Sequence, residues 1–117
     1  MNIKATTTSP KVIFNNNILL LEGESYPENS FDFYKPIFEW FSTEFPKLDF
    51  FELHLKLSYM NSSSIKCILD ILNILDDSHK SGKIIKIKWF CEKDNSSCIE
   101  LAEEFHEDLD LHYEIIT

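Results

Sequence analysis

Arginine is absent. All eleven basic residues are lysine, set against twenty carboxylates for a formal charge of −9. Without a guanidinium the chain has no planar fork with which to hold a phosphate or carboxylate bidentately. Its net charge also repels phosphate backbones and anionic lipid, which argues against nucleic acid and membrane surfaces as partners. Reading a phosphate is not its expected task; carrying one stays open.

Glycine is nearly as scarce. With Gly23 and Gly82 alone, no G-x-G-x-x-G or G-x-x-x-x-G-K-[ST] phosphate loop can be written, and no G-x-S-x-G elbow occurs. The three cysteines, Cys67, Cys91 and Cys98, form an odd set without C-x-x-C spacing. They predict small apolar side chains in a reducing compartment rather than a disulfide framework or a zinc site. The longest apolar run, "CILDILNIL", is broken by Asp70 and Asn73 and falls short of the ~20 residues of a membrane span. "MNIKATTTSPK" has no apolar h-region, so no signal peptide is expected and the cytoplasm is the default location.

Catalytic groups are also poorly placed. A serine nucleophile needs a nearby base, and His54, His79, His106 and His112 are scattered over strand, helix end and acidic tail. The carboxylates Glu103, Glu107 and Asp108 beside His106 and His112 read as a solvated acidic face rather than a metal site. The sequence therefore predicts no enzyme, no cofactor and no metal.

What is present is patterned. "KVIF", "NNN" and "ILLLEGES" predict a hairpin, because asparagine tolerates the left-handed conformation of a tight turn. Phe31, Tyr34, Ile37, Phe38, Phe41 and Phe45 share one helical face, with Asn29 or Ser30 as N-cap and Pro36 expected to kink the helix or split off its first turn. "LDFFELHLKLSYM" alternates, with Phe51, Leu53, Leu55, Leu57 and Tyr59 inward and Glu52, His54, Lys56, Ser58 and Met60 outward. From Ser62 to Ser81 the period becomes helical, with Gly82 placed to stop it. "KIIKIKWFC" alternates again, making a right-handed β-α-β unit. Ser97 with Glu100 suggests a capping box for a short acidic helix to about Asp108, and "LHYEII" a final edge strand. The sum is one domain over residues 1–117: a small α/β sandwich with a mixed sheet of four or five strands, helices mainly on one face and the other face partly wet.

The stretch "YMNSSSIKC" lies where a strand ends and a helix begins, the sheet edge at which α/β proteins tend to place their sites. Ser62 or Ser63 as N-cap would account for the residue types by itself. Alternatively, a hydroxyl there is modified: a phosphate adds about −1.5 to −2 charge and three acceptor oxygens, and would sit near backbone N–H groups that lack intrahelical partners. The residues alone leave both readings open.

Three blocks, "GESYPENS" (23–30), "LKLSYMNSSSIKCILDILNIL" (55–75) and "IELAEEFHEDL" (99–109), resemble the SiaC family of bacterial regulatory phosphoproteins across nearly the whole chain. That family is similar to the STAS domains of anti-sigma-factor antagonists, so the resemblance implies a STAS-like sandwich and a partner-switching role. It implies phosphorylation by an anti-sigma-type Ser/Thr kinase, reversal by a PP2C-type phosphatase, and binding and activation of a diguanylate cyclase by the unphosphorylated form, controlling cyclic di-GMP. The family's modified hydroxyl maps to Ser62, with Ser63 and Ser64 as alternates. Tyr26, Pro27, Glu28, Asn29, Asn61, Ser63, Ser64 and Lys66 are the implied partner surface. The competing reading is a constitutive protein-binding module in which Ser62 is only a helix cap.

Overall fold

Asn16 and Asn17 adopt φ of 52° and 63°. That pair of left-handed residues gives the two-residue turn whose twist matches antiparallel strands, and it joins strand β2 (Lys11–Asn15) to β3 (Ile18–Ser25) as expected. The computed structural model describes every residue from 1 to 117. A two-residue strand β1 (Asn2–Ile3) precedes the hairpin. After β3 come helix α1 (Ser30–Thr43), a 3-10 turn (Phe45–Lys47), β4 (Phe50–Met60), α2 (Ser62–Lys80), β5 (Ile84–Phe90), α3 (Ser96–His106) and β6 (His112–Ile116).

The six strands lie side by side in chain order. β1, β2 and β3 pair antiparallel, whereas β3 to β6 pair parallel. Each of the three crossovers therefore advances the sheet by one strand in the same direction, and right-handed crossovers of that kind set α1, α2 and α3 on one face. The α/β class, the mixed sheet and the one-sided helical layer agree with the sequence reading. The sheet has six strands rather than four or five, because the short β1 adds to the hairpin edge and carries too few residues to alternate visibly.

One core of 26 buried residues fills the space between sheet and helices. Leu19 and Leu21, Leu53 and Leu55, Ile85, Ile87 and Trp89 supply the sheet side; Tyr34, Ile37, Phe41, Ile68, Leu72 and Leu75 supply the helix side. Trp40 joins an aromatic group with Phe14, Phe41, Phe45 and Phe51. Phe31, assigned to this face by spacing, is 60% exposed, since it sits in the first turn of α1 at the margin of the sheet. Pro36 does not split the helix, which is continuous from Ser30 to Thr43. It lies on the solvent side, where water can take the Asp32 carbonyl that loses its donor.

Two further expectations are corrected. Gly23 pairs with Leu57 but Glu24 pairs with Tyr59, so Ser58 is an extra residue in β4. This bulge reverses the alternation: Tyr59 is 54% exposed, and Met60 packs against the core instead. Secondly, Cys91 and Cys98 are disulfide-bonded, with Cα atoms 5.9 Å apart, while Cys67 is free and buried as expected. The bridge is invisible to spacing rules because α3 starts earlier than its capping box suggests. Asn95, not Ser97, is the N-cap, and its side chain accepts from the Cys98 N–H at 3.1 Å, turning Cys98 back toward the end of β5.

Two contacts fix the far ends of the helical layer. Gly82 (φ +106°) closes α2 with the paired bonds of a Schellman motif, Lys83 N–H to the Ser78 carbonyl at 3.1 Å and Gly82 N–H to the His79 carbonyl at 3.0 Å. Asp76, buried on α2, accepts from the N–H groups of Asp110 (2.9 Å) and Leu111 (3.2 Å) and pairs with Lys80 at 3.2 Å. Burial alone would raise its pKa, but the Asp110 amide, the Lys80 ammonium and the Leu111 amide together outweigh that and hold the carboxyl below its ordinary value.

A folded-state pKa below the unfolded one means that Asp76 contributes stability fully above about pH 4 and loses it as pH falls through the folded value. Urea midpoints measured down an acid series should therefore fall less steeply for Asp76→Asn than for the unaltered chain, and an equal slope in both would remove Asp76 as the source. Gly82→Ala meets no atom within 4 Å of its new Cβ. Its cost is purely conformational, about 1 kcal/mol by denaturant midpoint at neutral pH.

Candidate functional site

Serine and asparagine compete with helical hydrogen bonding when placed inside a helix and complete it when placed at an N-terminus. The chain uses both roles where β3 and β4 run out beside each other. Asn61, extended at φ −77° and ψ 171°, is the N-cap of α2, and its Oδ1 accepts from the Ser64 N–H at 2.9 Å. The cap considered for Ser62 or Ser63 thus belongs to the residue before them, and Ser62 is the first residue of the helix. Asn29 caps α1 in the same way, accepting from the Asp32 N–H at 3.2 Å.

The three serines then separate by exposure. Ser62 is exposed and its hydroxyl takes no part in the local bonding. Ser63 is half-buried and donates to the Ser30 hydroxyl at 2.8 Å. Ser64 is 0% exposed, accepts from Ser25 at 2.8 Å and lies 3.1 Å from the Ser30 hydroxyl. Ser25 spends its one proton on Ser64, so the Tyr34 hydroxyl, 2.7 Å away, is the donor to Ser25. Burial pushes the Tyr34 pKa up to about 12, keeping that proton in place. The resulting chain runs Tyr34 to Ser25 to Ser64 to Ser30 and ties the end of β3, the start of α1 and the start of α2 to one another.

The "SYPEN" segment is stapled by this network at both sides. Ser25 precedes it and Ser30 follows it, so Tyr26, Pro27, Glu28 and Asn29 form a loop held against the first turn of α2. The main chain adds the Tyr26 N–H to the Thr8 carbonyl at 2.7 Å and the Asn61 N–H to the Ser25 carbonyl at 3.0 Å. Tyr26, 37% exposed, meets Tyr59 edge-to-face with ring centroids 5.7 Å apart. Lys66 lies one turn beyond Ser62 on the same helix face and is already paired with Asp70 at 3.1 Å. Tyr26, Pro27, Glu28, Asn29, Asn61, Ser62, Ser63 and Lys66 thus gather at one sheet edge, while Ser64 lies beneath them rather than on the surface.

Sequence reasoning misses Ser25, Ser30 and Tyr34 as supports of the site, and Tyr59 and Phe31 as exposed aromatics near it. Ser25 and Ser30 bracket the "YPEN" block, a signal that spacing does carry. The exposure of Tyr59 leaves no such signal, because it depends on the bulge.

Comparison with known proteins bears on the family and the fold. The model of the SiaC family, described as regulatory phosphoproteins, matches residues 3–117. A relative from Pseudomonas aeruginosa strain UCBPP-PA14 is 37% identical over 100 residues, covering 83% of this chain and 78% of that protein. The crystal structure of apo-SiaC from P. aeruginosa superposes with a TM-score of 0.94 at 32% identity over 100% of this chain and 98% of that one. SiaC bound as activator to the P. aeruginosa diguanylate cyclase SiaD gives a TM-score of 0.94 at 33% identity, covering 99% and 98% of the two chains. The chain belongs to the SiaC family of regulatory phosphoproteins.

Proposed function

We propose that residues 1–117 form a single cytoplasmic regulatory domain that acts as a ligand and a kinase substrate, not as an enzyme. In its unphosphorylated form it binds and activates a diguanylate cyclase and so raises cyclic di-GMP. An anti-sigma-type Ser/Thr kinase ends that state by phosphorylating Ser62, and a PP2C-type phosphatase restores it. The observation that carries the reading is the division of labour among the serines: Ser63 and Ser64 are held in the hydroxyl network, while Ser62 stands exposed at the start of α2. The bound pair of SiaD and SiaC, two proteins of P. aeruginosa, supports a cyclase as the class of effector.

The surface around Ser62 suits a partner that packs rather than one that pairs charges. Tyr26, Tyr59 and Phe31 are three of the five exposed large hydrophobic residues of the chain, and all three belong to segments at this sheet edge. Aromatic anchors of this kind supply much of the energy of protein interfaces. A phosphate on Ser62 would place a near-dianion in that contact. No arginine is available to hold it, and Lys66 would have to leave Asp70 to do so. Enclosing an uncompensated charge costs several kcal/mol, and about 3 to 4 kcal/mol suffices for two or three orders of magnitude in affinity.

Binding measured by calorimetry against a diguanylate cyclase from the same organism should be nearly unchanged for Ser62→Ala and lost, by on the order of a hundredfold or more, for Ser62→Asp or Ser62→Glu. Equal binding by the alanine and acidic variants would favour the constitutive module. Incubation with ATP and an anti-sigma-type Ser/Thr kinase from the same organism should add one phosphate, localised to Ser62 by fragment mass spectrometry. Ser64→Ala removes the acceptor of the buried Ser25 hydroxyl and should cost about 1–3 kcal/mol of stability while leaving phosphorylation of Ser62 intact. A stability equal to that of the unaltered chain would deny the network its structural role.

A further inference from the structure

The Cys91–Cys98 bridge has no part in the phosphorylation switch. It spans a separation of seven residues, from the chain just after β5 to the first turn of α3. A loop that short removes little freedom from an unfolded chain compared with a bridge across distant segments. The bridge is therefore poorly placed as a staple for the fold.

Its surroundings suit exchange. Both cysteines line an open cleft of about 600 Å3 at the edge of the sheet where β4, β5 and β6 end, together with Lys56, Lys93, Glu22 and Glu92. Both are otherwise buried, with 7% of each residue exposed. Cys98 is the third residue of α3, where the helix dipole favours negative charge and makes it the better leaving group. In a reducing compartment, bridges of this sort are transient or sensing rather than structural.

The loop is also tied to the strand that ends in the site. Cys98 Sγ lies 3.8 Å from the Leu57 carbonyl, and Asn95 Nδ2 donates to the Ser58 carbonyl at 3.2 Å. Leu57 and Ser58 are the residues at the bulge that turns Tyr59 outward, and Ser62 follows on the same stretch. Whatever loosens the start of α3 acts directly on the exit of β4.

We propose that Cys91 and Cys98 form a thiol–disulfide switch, exchanged by a dithiol reductant at the open cleft, whose state sets the order of the β4 exit from Leu57 to Asn61. The reductant's thiolate attacks Cys91 Sγ, the Cys91–Cys98 bond breaks, and Cys98 leaves as a thiolate. The reductant's second thiol then displaces Cys91 from the mixed disulfide. The dithiol ends as a disulfide, and its two protons end on Cys91 and Cys98. Oxidised glutathione drives the reverse: two thiols become the bridge, and one glutathione disulfide becomes two glutathione thiols.

The full chain is equilibrated in mixtures of reduced and oxidised glutathione, quenched and alkylated, and the bridged peptide is quantified by mass spectrometry. Amide hydrogen exchange is then compared between the two forms. The expected result is reversible interconversion with both forms populated, and exchange at residues 57–61 on the order of tenfold faster in the reduced chain. The Cys91→Ser and Cys98→Ser variants should match the reduced chain, and Cys67→Ala should leave the equilibrium unchanged. Failure of the pair to interconvert, or identical exchange at 57–61 in both forms, overturns the proposal. The setting rests on the cytoplasmic location proposed above, but the measurement involves no cyclase or kinase, so its failure is separable from the failure of that reading.

Discussion

Three chain segments meet at the Ser64 hydroxyl. Ser25 at the end of β3 donates to it, and Ser30 at the start of α1 stands within hydrogen-bond distance, while Asn61 caps the backbone of the same residue. The site is completely buried, so each hydroxyl must find its partner inside the protein or leave an unsatisfied polar group in the core. This makes the arrangement cooperative: the direction in which Tyr34 donates fixes the direction for Ser25 and hence for Ser64. Two helix N-termini and one strand end are locked at a common point, and the exposed loop from Tyr26 to Asn29 has little freedom to move away from the first turn of α2.

The same lock separates structure from chemistry among neighbouring serines. A hydroxyl that serves as donor and acceptor in a buried chain cannot enter a kinase active site without unravelling it. Ser62 carries no such duty and projects to solvent from the helix it begins. Asn61 supplies the cap that would otherwise have occupied it, which leaves the hydroxyl free at no cost to the helix. The absence of arginine then matters twice for the proposed switch, since no fork would compete for a phosphate from within the protein and none would neutralise it against a partner.

Long, strongly periodic segments are legible in the amino-acid order itself. The cores of β4, α2 and β5 fall where alternation and helical spacing put them, because burial of Leu53, Leu55, Ile68, Leu72 and Ile87 enforces the period that the sequence displays. Tyr59 and Met60 escape that pattern because a single extra residue at Ser58 shifts the phase, and a bulge leaves no mark in composition. The Cys91–Cys98 bridge escapes for a related reason: it depends on where α3 begins, and helix starts are the least determined part of a pattern when Asn95, Ser96 and Ser97 all have capping side chains. Of the site, the segments are readable, and their contact is not. Ser25 and Ser30 lie 39 and 34 residues from Ser64 along the chain.

Sequential strand order has a consequence for how the molecule is made. Every element docks on the one that precedes it in the chain, so no strand must wait for a distant segment to be inserted between its neighbours. The hydroxyl chain, both helix caps and the Tyr26–Tyr59 contact draw only on residues up to Ser64. As the polypeptide leaves the ribosome, N-terminal portions have the first opportunity to order, and the hydroxyl chain at Ser64 has all its members once α2 has docked. β5, α3 and β6 are then added to an already formed edge. The newborn chain thus acquires the hydroxyl chain beside Ser62 before it acquires the cysteine pair.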